Sequence, residues 1–471
     1  MKPYRLVSRC AILWFAVVAI TACASAEEPL NGKKTPLDEY VAKADPAYEW
    51  KVVKTIPGEG VTTFVVDLKS QTWRKVPEVD RAVWQHWLVV VKPDEVKHPT
   101  AFLNIGGGRN GSPAPEAASP VSINMAKATN SVVAELKMVP NQPLVLNDDG
   151  KARSEDDLLA EGWVKFMDTG DPTWIPRLPM VKSAVRAMDT VTALLASEEG
   201  GKADVKSFVV AGGSKRGWTT WLTGAVDKRV VAIVPIVIDV VNVRACSINH
   251  FCAYGFWAPA IGDYTRHKIF ERSESSEHAT LMRIEDPYFY RDRLTMPKYV
   301  VNAAGDQYFP PDSSKFYFGD LVGPKYLRYV PNADHSLRGS DASDSILAFY
   351  DAVLNKKEIP KFTWDLGKDG SIRVKTEHKP KEVVLWQATN PKARDFRLEA
   401  IGQAYKKSSL EPVESGVYVA KVPKPESGWT AFFVELTFDS GCKVPFKFTS
   451  QVSIVPDVLP HKIEEASKLV K

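Results

Sequence analysis

The segment 207–217, S-F-V-V-A-G-G-S-K-R-G, runs an apolar stretch into Gly212-Gly213-Ser214 and then opens a helical pattern with Trp218 and Trp221. A serine presented on so tight a strand-to-helix turn can attack an acyl carbonyl, because small neighbours let the backbone pack closely around it. The backbone N–H of Lys215, at the helix start, would point toward a developing oxyanion, where the helix dipole favours negative charge. The segment departs from G-x-S-x-G: Arg216 fills the second glycine position and Gly217 follows one residue later. Taken alone, the segment also fits a plain helix N-cap.

A serine nucleophile needs a base, and the base needs an orienting acid. The stretch M-P-K-Y-V-V-N-A-A-G-D-Q-Y-F-P-P-D sets Asp306 directly past a strand end, with Asp312 as the alternative acid. Further on, a strand over 327–330 leads into P-N-A-D-H-S-L and places His335 in the following loop. Two other histidines follow Asp306, His378 and His461, and both lie in or beyond a later β-rich region. The order Ser214, Asp306, His335 is that of the α/β-hydrolase fold and differs from the orders of chymotrypsin and subtilisin. An oxyanion site also needs a second backbone donor. The strand 101–105 ends in Gly106-Gly107-Gly108-Arg109-Asn110-Gly111, a loop of the kind that supplies one, with Gly107 and Gly108 as candidates beside Lys215. A glycine run is also a plain flexible turn, and this one lacks the G-K-[ST] of a phosphate loop.

The elements that must carry these residues follow from periodicity. Short β-branched runs at 62–68, 87–91, 101–105, 208–211, 230–235, 299–303 and 327–330 alternate with amphipathic stretches at 156–164, 179–197, 215–226 and 343–354. That alternation reads as a mostly parallel sheet covered by helices over 35–356. Within it, about 239–290 is rich in aromatics and lacks sheet periodicity, which suits a cap over the site. Trp257 of this cap, and Arg216, are the candidate substrate contacts, whereas Trp218 and Trp221 suit the core. Beyond 356 come short strand-like runs at 371–374, 383–387, 396–400, 416–419, 429–437 and 446–452. Turn signals separate them and no helix is needed, as in an immunoglobulin or fibronectin III-like β-sandwich over 362–456 whose role is packing and stability.

The 471 residues are 44% hydrophobic and 25% charged, a globular composition, and a net charge of +4 gives no warrant for a nucleic-acid partner. Lys2, Arg5 and Arg9 precede the apolar run 11–20, which reads as an export signal over 1–26 and is too short for a permanent membrane helix. Two processing alternatives stand: cleavage at Ala24-Ser25-Ala26, or lipidation of Cys23 in a lipobox-like I-T-A-C, which would be the only membrane attachment. Either leaves the mature chain outside the cytoplasm: periplasmic, anchored in the outer membrane or secreted. Export permits a disulfide between Cys246 and Cys252, against two buried thiols, with Cys442 as an inert buried thiol. No H-E-x-x-H, dinucleotide fingerprint or P-loop occurs, so neither a metal nor a cofactor is expected.

The segments G-G-S-K-R-G-W-T-T-W-L and I-V-P-I-V-I-D-V-V-N, with those around Asp306 and His335, resemble the PhoPQ-activated pathogenicity-related protein family from about Thr35 to Val455. The resemblance implies an exported α/β-hydrolase-like protein with a serine triad at Ser214, Asp306 and His335 and leaves the substrate open. The expected chemistry is acyl transfer on a small ester or a peptide, both of which use the same machinery. The competing expectation is an exported binding or signalling protein on a hydrolase scaffold.

Overall fold

The computed structural model describes residues 28–468. The segment 1–26, with Cys10, Cys23 and both processing alternatives, lies outside the described residues.

A nine-stranded sheet forms the centre. Its strands in chain order are β1 (Glu49–Gly58), β2 (Val61–Thr72), β3 (Val83–Pro93), β4 (Thr100–Ile105), β5 (Val133–Leu136), β8 (Ser207–Gly213), β9 (Val230–Ile236), β10 (Lys298–Ala303) and β11 (Lys325–Val330), while β6 (Leu144–Val145) and β7 (Ala152–Arg153) form a separate two-stranded pair. The spatial order is β1-β2-β3-β5-β4-β8-β9-β10-β11. Pairing is antiparallel from β1 to β5 and parallel from β5 to β11. The helices are α1 (Pro36–Ala42), α2 (Pro120–Thr129), α3 (Glu155–Thr169), α4 (Arg177–Ala196), α5 (Lys215–Val226), α6 (Val243–Tyr254), α7 (Gly262–Arg266), α8 (Ser276–Glu285), α9 (Ala342–Asn355) and the single turn α10 (Leu398–Ile401).

The period of two along each strand divides the core. Val90, Leu103 and Val210 pack with Leu178, Met180 and Trp221 of α4 and α5 on one face. Their strand neighbours Val89, Phe102 and Val209 pack with Met125 and Phe349 of α2 and α9 on the other. Strands covered on both faces are largely apolar, which explains the near-continuous apolar runs that mark β8 to β10 in the sequence.

After α9 the chain builds two antiparallel sheets. One has the order β12 (Phe362–Leu366), β13 (Ile372–Thr376), β17 (Val417–Ala420), β16 (Pro412–Glu414). The other runs β15 (Lys406–Ser409), β14 (Glu382–Asn390), β18 (Trp429–Phe438), β19 (Phe446–Thr449), and β20 (Ser453–Val455) also pairs with β18. This β-sandwich docks on the last strands of the main sheet. Tyr329 N–H of β11 donates to Thr449 Oγ1 (3.0 Å) and Tyr299 Oη of β10 donates to Lys447 O (2.6 Å), so β19 lies along the β11 edge and shields it.

Three expectations need correction. The run 396–400 is not a strand: Phe396 is buried and the chain turns there into α10, so the module does contain a helical turn. Cys246 and Cys252 are free and buried rather than bridged. They stand on the same helix, α6, where six residues advance the chain by about 9 Å, beyond the roughly 7 Å that a disulfide can span between Cα atoms. Cys442 is half-buried and its Sγ lies 3.3 Å from Val444 O.

Candidate active site

Ser214 stands alone between the end of β8 and the start of α5, with φ 57° and ψ −129°. A non-glycine residue with positive φ stores on the order of 1–3 kcal/mol, which the surroundings must hold. Ser214 N–H donates to Ile236 O of β9 (2.8 Å), and Ser214 O accepts from Trp218 N–H (3.0 Å). Strand and helix approach so closely that a Cβ on Gly212 would lie 2.6 Å from Arg216 O. A Cβ on Gly217 would lie 2.8 Å from both Gly212 O and Ile238 Cγ2. Gly213 has nothing within 4 Å. The glycine expected two residues after the serine is therefore needed three residues after it, which accounts for Arg216 in the middle of the motif.

Asp306 and His335 come from the loops after β10 and β11 and meet: His335 Nδ1 lies 3.0 and 2.8 Å from the two Asp306 carboxylate oxygens. Asp306 is buried and also accepts from Tyr308 N–H (2.8 Å). His335 N–H donates to Gln307 Oε1 (3.1 Å), and its ring packs against Tyr308 with 4.2 Å between centroids. This leaves Nε2, the nitrogen facing away from Asp306, buried and without a hydrogen-bond partner among the described residues. Asp312, the alternative acid, is held elsewhere: Arg394 Nη2 and Lys315 Nζ each lie 2.7 Å from its Oδ2. Burial would raise its carboxyl, but these two cations outweigh burial and hold it far below the usual range.

Around Ser214 the charges are paired. Arg216 donates to both Glu155 oxygens (2.8 and 2.6 Å) and to Val139 O (2.5 Å), and Lys215 Nζ sits 2.7 Å from Glu155 Oε2 and 3.4 Å from Asp156. Burial pushes the Glu155 carboxyl up, yet Arg216 and Lys215 prevail and bring it down to about 2. Arg216, read from the sequence as a substrate contact, is thus a clamp: its guanidinium is taken up by Glu155 and Val139 and lies under the glycine loop. A Cβ on Gly107 would come within 2.7 Å of Arg216 Nη2, and Gly108, at φ 145°, would meet Met138 at 2.9 Å. Of the three consecutive glycines that open the loop, Gly106 spends its N–H on Leu136 O (2.7 Å). Lys215, first in α5, has no intrahelical acceptor for its own N–H. Glu155 was not legible as a partner, because it lies 61 residues before Arg216 and nothing local marks it.

Ser214 and Tyr308 border a cavity of about 610 Å³. Its roof is the helical insertion between β9 and β10, which contributes Trp257 stacked on Phe270 at 3.8 Å. Below it Arg177, fully buried, pairs with Glu285 (3.1 Å) and donates to Lys215 O (2.7 Å), which secures the first turn of α5. Trp218, expected in the core, is buried but also borders the cavity, whereas Trp221 is fully enclosed.

The mostly parallel sheet, the strand-to-helix turn at Ser214 and the acid and histidine on the loops after β10 and β11 define the α/β-hydrolase class. The chain belongs to the PhoPQ-activated pathogenicity-related protein family, whose model matches residues 37–397. It is 37% identical over 458 residues to autocrine proliferation repressor protein A of Dictyostelium discoideum, covering 90% of this chain and 91% of that protein. Among solved structures it is similar to acetyl xylan esterase from Paenibacillus sp. R4 (TM-score 0.48, 17% identity, 69% of this chain and 97% of that one). It is also similar to an S-formylglutathione hydrolase from Agrobacterium tumefaciens (TM-score 0.42, 15% identity, 64% of this chain and 99% of that one).

Proposed function

We propose that the chain is a serine hydrolase that cleaves an ester or amide bond through an acyl-enzyme on Ser214. The observation that carries this reading is the Asp306–His335 pair, with Nε2 buried and, among the described residues, unpartnered on the side away from the acid. In this mechanism His335 takes the Ser214 proton as Oγ attacks the carbonyl, and Asp306 fixes the tautomer and stabilises the imidazolium. The Lys215 N–H and an N–H of Gly107 or Gly108 receive the oxyanion. The proton then passes from His335 to the leaving group, and a water activated by the same histidine releases the acid and restores Ser214. Apo sites often hold such groups farther apart than the reacting complex does, so the absent contact from Nε2 is compatible with this role.

A second reading, an exported signalling protein with little catalysis, draws on the name of the Dictyostelium relative, a proliferation repressor. A fluorophosphonate probe separates the two. Labelling mapped to Ser214 and lost in Ser214→Ala supports the hydrolase; a folded protein that takes no label supports the signalling role. We also propose export, on the basic start and apolar run of residues 1–20. The mass of the mature N-terminus would distinguish cleavage after Ala26 from lipidation at Cys23.

A further inference from the structure

The cavity beside Ser214 is large, and its inner wall is mostly aromatic and aliphatic: Trp163, Trp218, Trp257, Ile261, Phe270 and Phe309 all border it. The charges that reach the interior are matched. Arg177 is paired with Glu285, and Asp156 lies near Lys215 Nζ (3.4 Å) and accepts from Tyr264 Oη (3.2 Å). His250 and His278 are buried, and burial holds them down at about 3 and about 4, so both are neutral at neutral pH. At the exposed rim of the lining, Glu271 and Glu274 stand with one cation, Arg244, which is paired with Glu274 (2.9 Å). Such a rim disfavours anions, and an interior without surplus charge offers them no compensation. An acetyl group would leave most of a 610 Å³ space unfilled, whereas a bulky apolar group would exchange water for aromatic surface.

We propose that this cavity receives a bulky, apolar, uncharged acyl group, so that the substrates are neutral esters of medium-chain or aryl-substituted acids rather than acetyl esters or acids bearing a second carboxylate. The inference rests on Ser214 being the nucleophile. The chain that fills the cavity is the one transferred to Oγ and later released as the free acid.

The test combines turnover with binding. Against 4-nitrophenyl esters, kcat/KM is expected to favour octanoate over acetate on the order of a hundredfold, given the transfer of several methylenes, and the hemisuccinate is expected to be the poorest. In parallel, calorimetry on Ser214→Ala with N-methyloctanamide and N-methylacetamide reads the cavity without chemistry, and only the longer amide is expected to bind. Ile261→Trp, which fills the space from the roof, is expected to lower the octanoate-to-acetate ratio and weaken N-methyloctanamide. Acetate turned over as well as octanoate, or amide binding indifferent to chain length and to Ile261→Trp, would overturn the proposal while fluorophosphonate labelling kept the hydrolase intact. Chain-length-dependent binding in a protein that turns over no ester would keep the ligand class and remove the hydrolase reading.

Discussion

Asp306 and Asp312 lie six residues apart on the loop that follows β10, and both are buried, yet they occupy different chemical worlds. Asp306 meets the His335 imidazole and one backbone N–H. Asp312 meets two fixed cations, Arg394 and Lys315, and accepts from Asn249 (3.2 Å). A carboxylate saturated by cations can anchor a structure but has nothing left with which to orient a base. The cation Arg394 comes from the β-sandwich, and that module also reaches the other loops. Leu398 N–H donates to Gly305 O (2.9 Å), and Tyr405 exchanges hydrogen bonds with the Asn332 side chain (both 2.9 Å), three residues before His335. The module expected only to stabilise therefore brackets the loops of both the acid and the histidine. Which acid a sequence offers is decided by what the rest of the chain packs against it.

The largest effects would break or confirm that contrast. Asp306→Asn is expected to lower kcat on the order of 10⁴-fold with little loss of stability, because an amide stabilises the wrong imidazole tautomer. Asp312→Asn is expected to do the reverse. Leaving Arg394 buried without its counter-charge should cost about 3–5 kcal/mol in a denaturant titration, with the shape of the kcat pH profile retained. If Asp312→Asn removed turnover from a fully stable protein, the acid would be misassigned.

A third carboxylate sharpens the series. Asp239, just past β9, is buried and accepts from Tyr317 Oη (2.7 Å) and Tyr329 Oη (2.5 Å). Its partners are neutral, so burial prevails over the tyrosine hydrogen bonds and pushes its carboxyl up to about 7. The folded state then holds this proton at a pH where the unfolded chain, titrating near 3.8, has released it. Stability from Asp239 is therefore full below 3.8 and falls as pH rises toward 7, by at most about 4 kcal/mol. Asp239→Asn should flatten the loss of Tm across that window. Parallel curves for the two proteins would show that Asp239 does not titrate there.

The legible features were those written in contiguous residues. Buried parallel strands read as near-continuous apolar runs, so β8, β9 and β10 are legible nearly to their ends, and α5 is bounded at 215–226. Edge and short strands were not assigned: β1 alternates exposed and half-buried residues in a polar-looking stretch, and β5 has only four residues. The order Ser214, Asp306, His335 could be read because each residue follows a strand end. The pairings Arg216 with Glu155 and Asp312 with Arg394 join residues 61 and 82 positions apart, and no local pattern encodes them. The disulfide expectation failed for a related reason: export permits the bond, but a helix sets the two thiols apart.

The smallest predicted effect concerns the other side of the site, where the motif departs from G-x-S-x-G. If Gly217 has taken over the second glycine's task, a methyl group there meets both Gly212 O, which is backbone, and Ile238 Cγ2, each 2.8 Å away, and must displace them. Overpacking of this kind typically costs about 1–3 kcal/mol. Because the strained Ser214 turn is held by the same close approach, Gly217→Ala should also slow fluorophosphonate labelling relative to wild type at a temperature where both are folded. Gly213→Ala is the matched control, since nothing lies within 4 Å of its Cβ position. If the two variants lost stability and labelling equally, the displaced-glycine explanation would fail, and the departure at Arg216 would have to be attributed to its clamp on Glu155 alone.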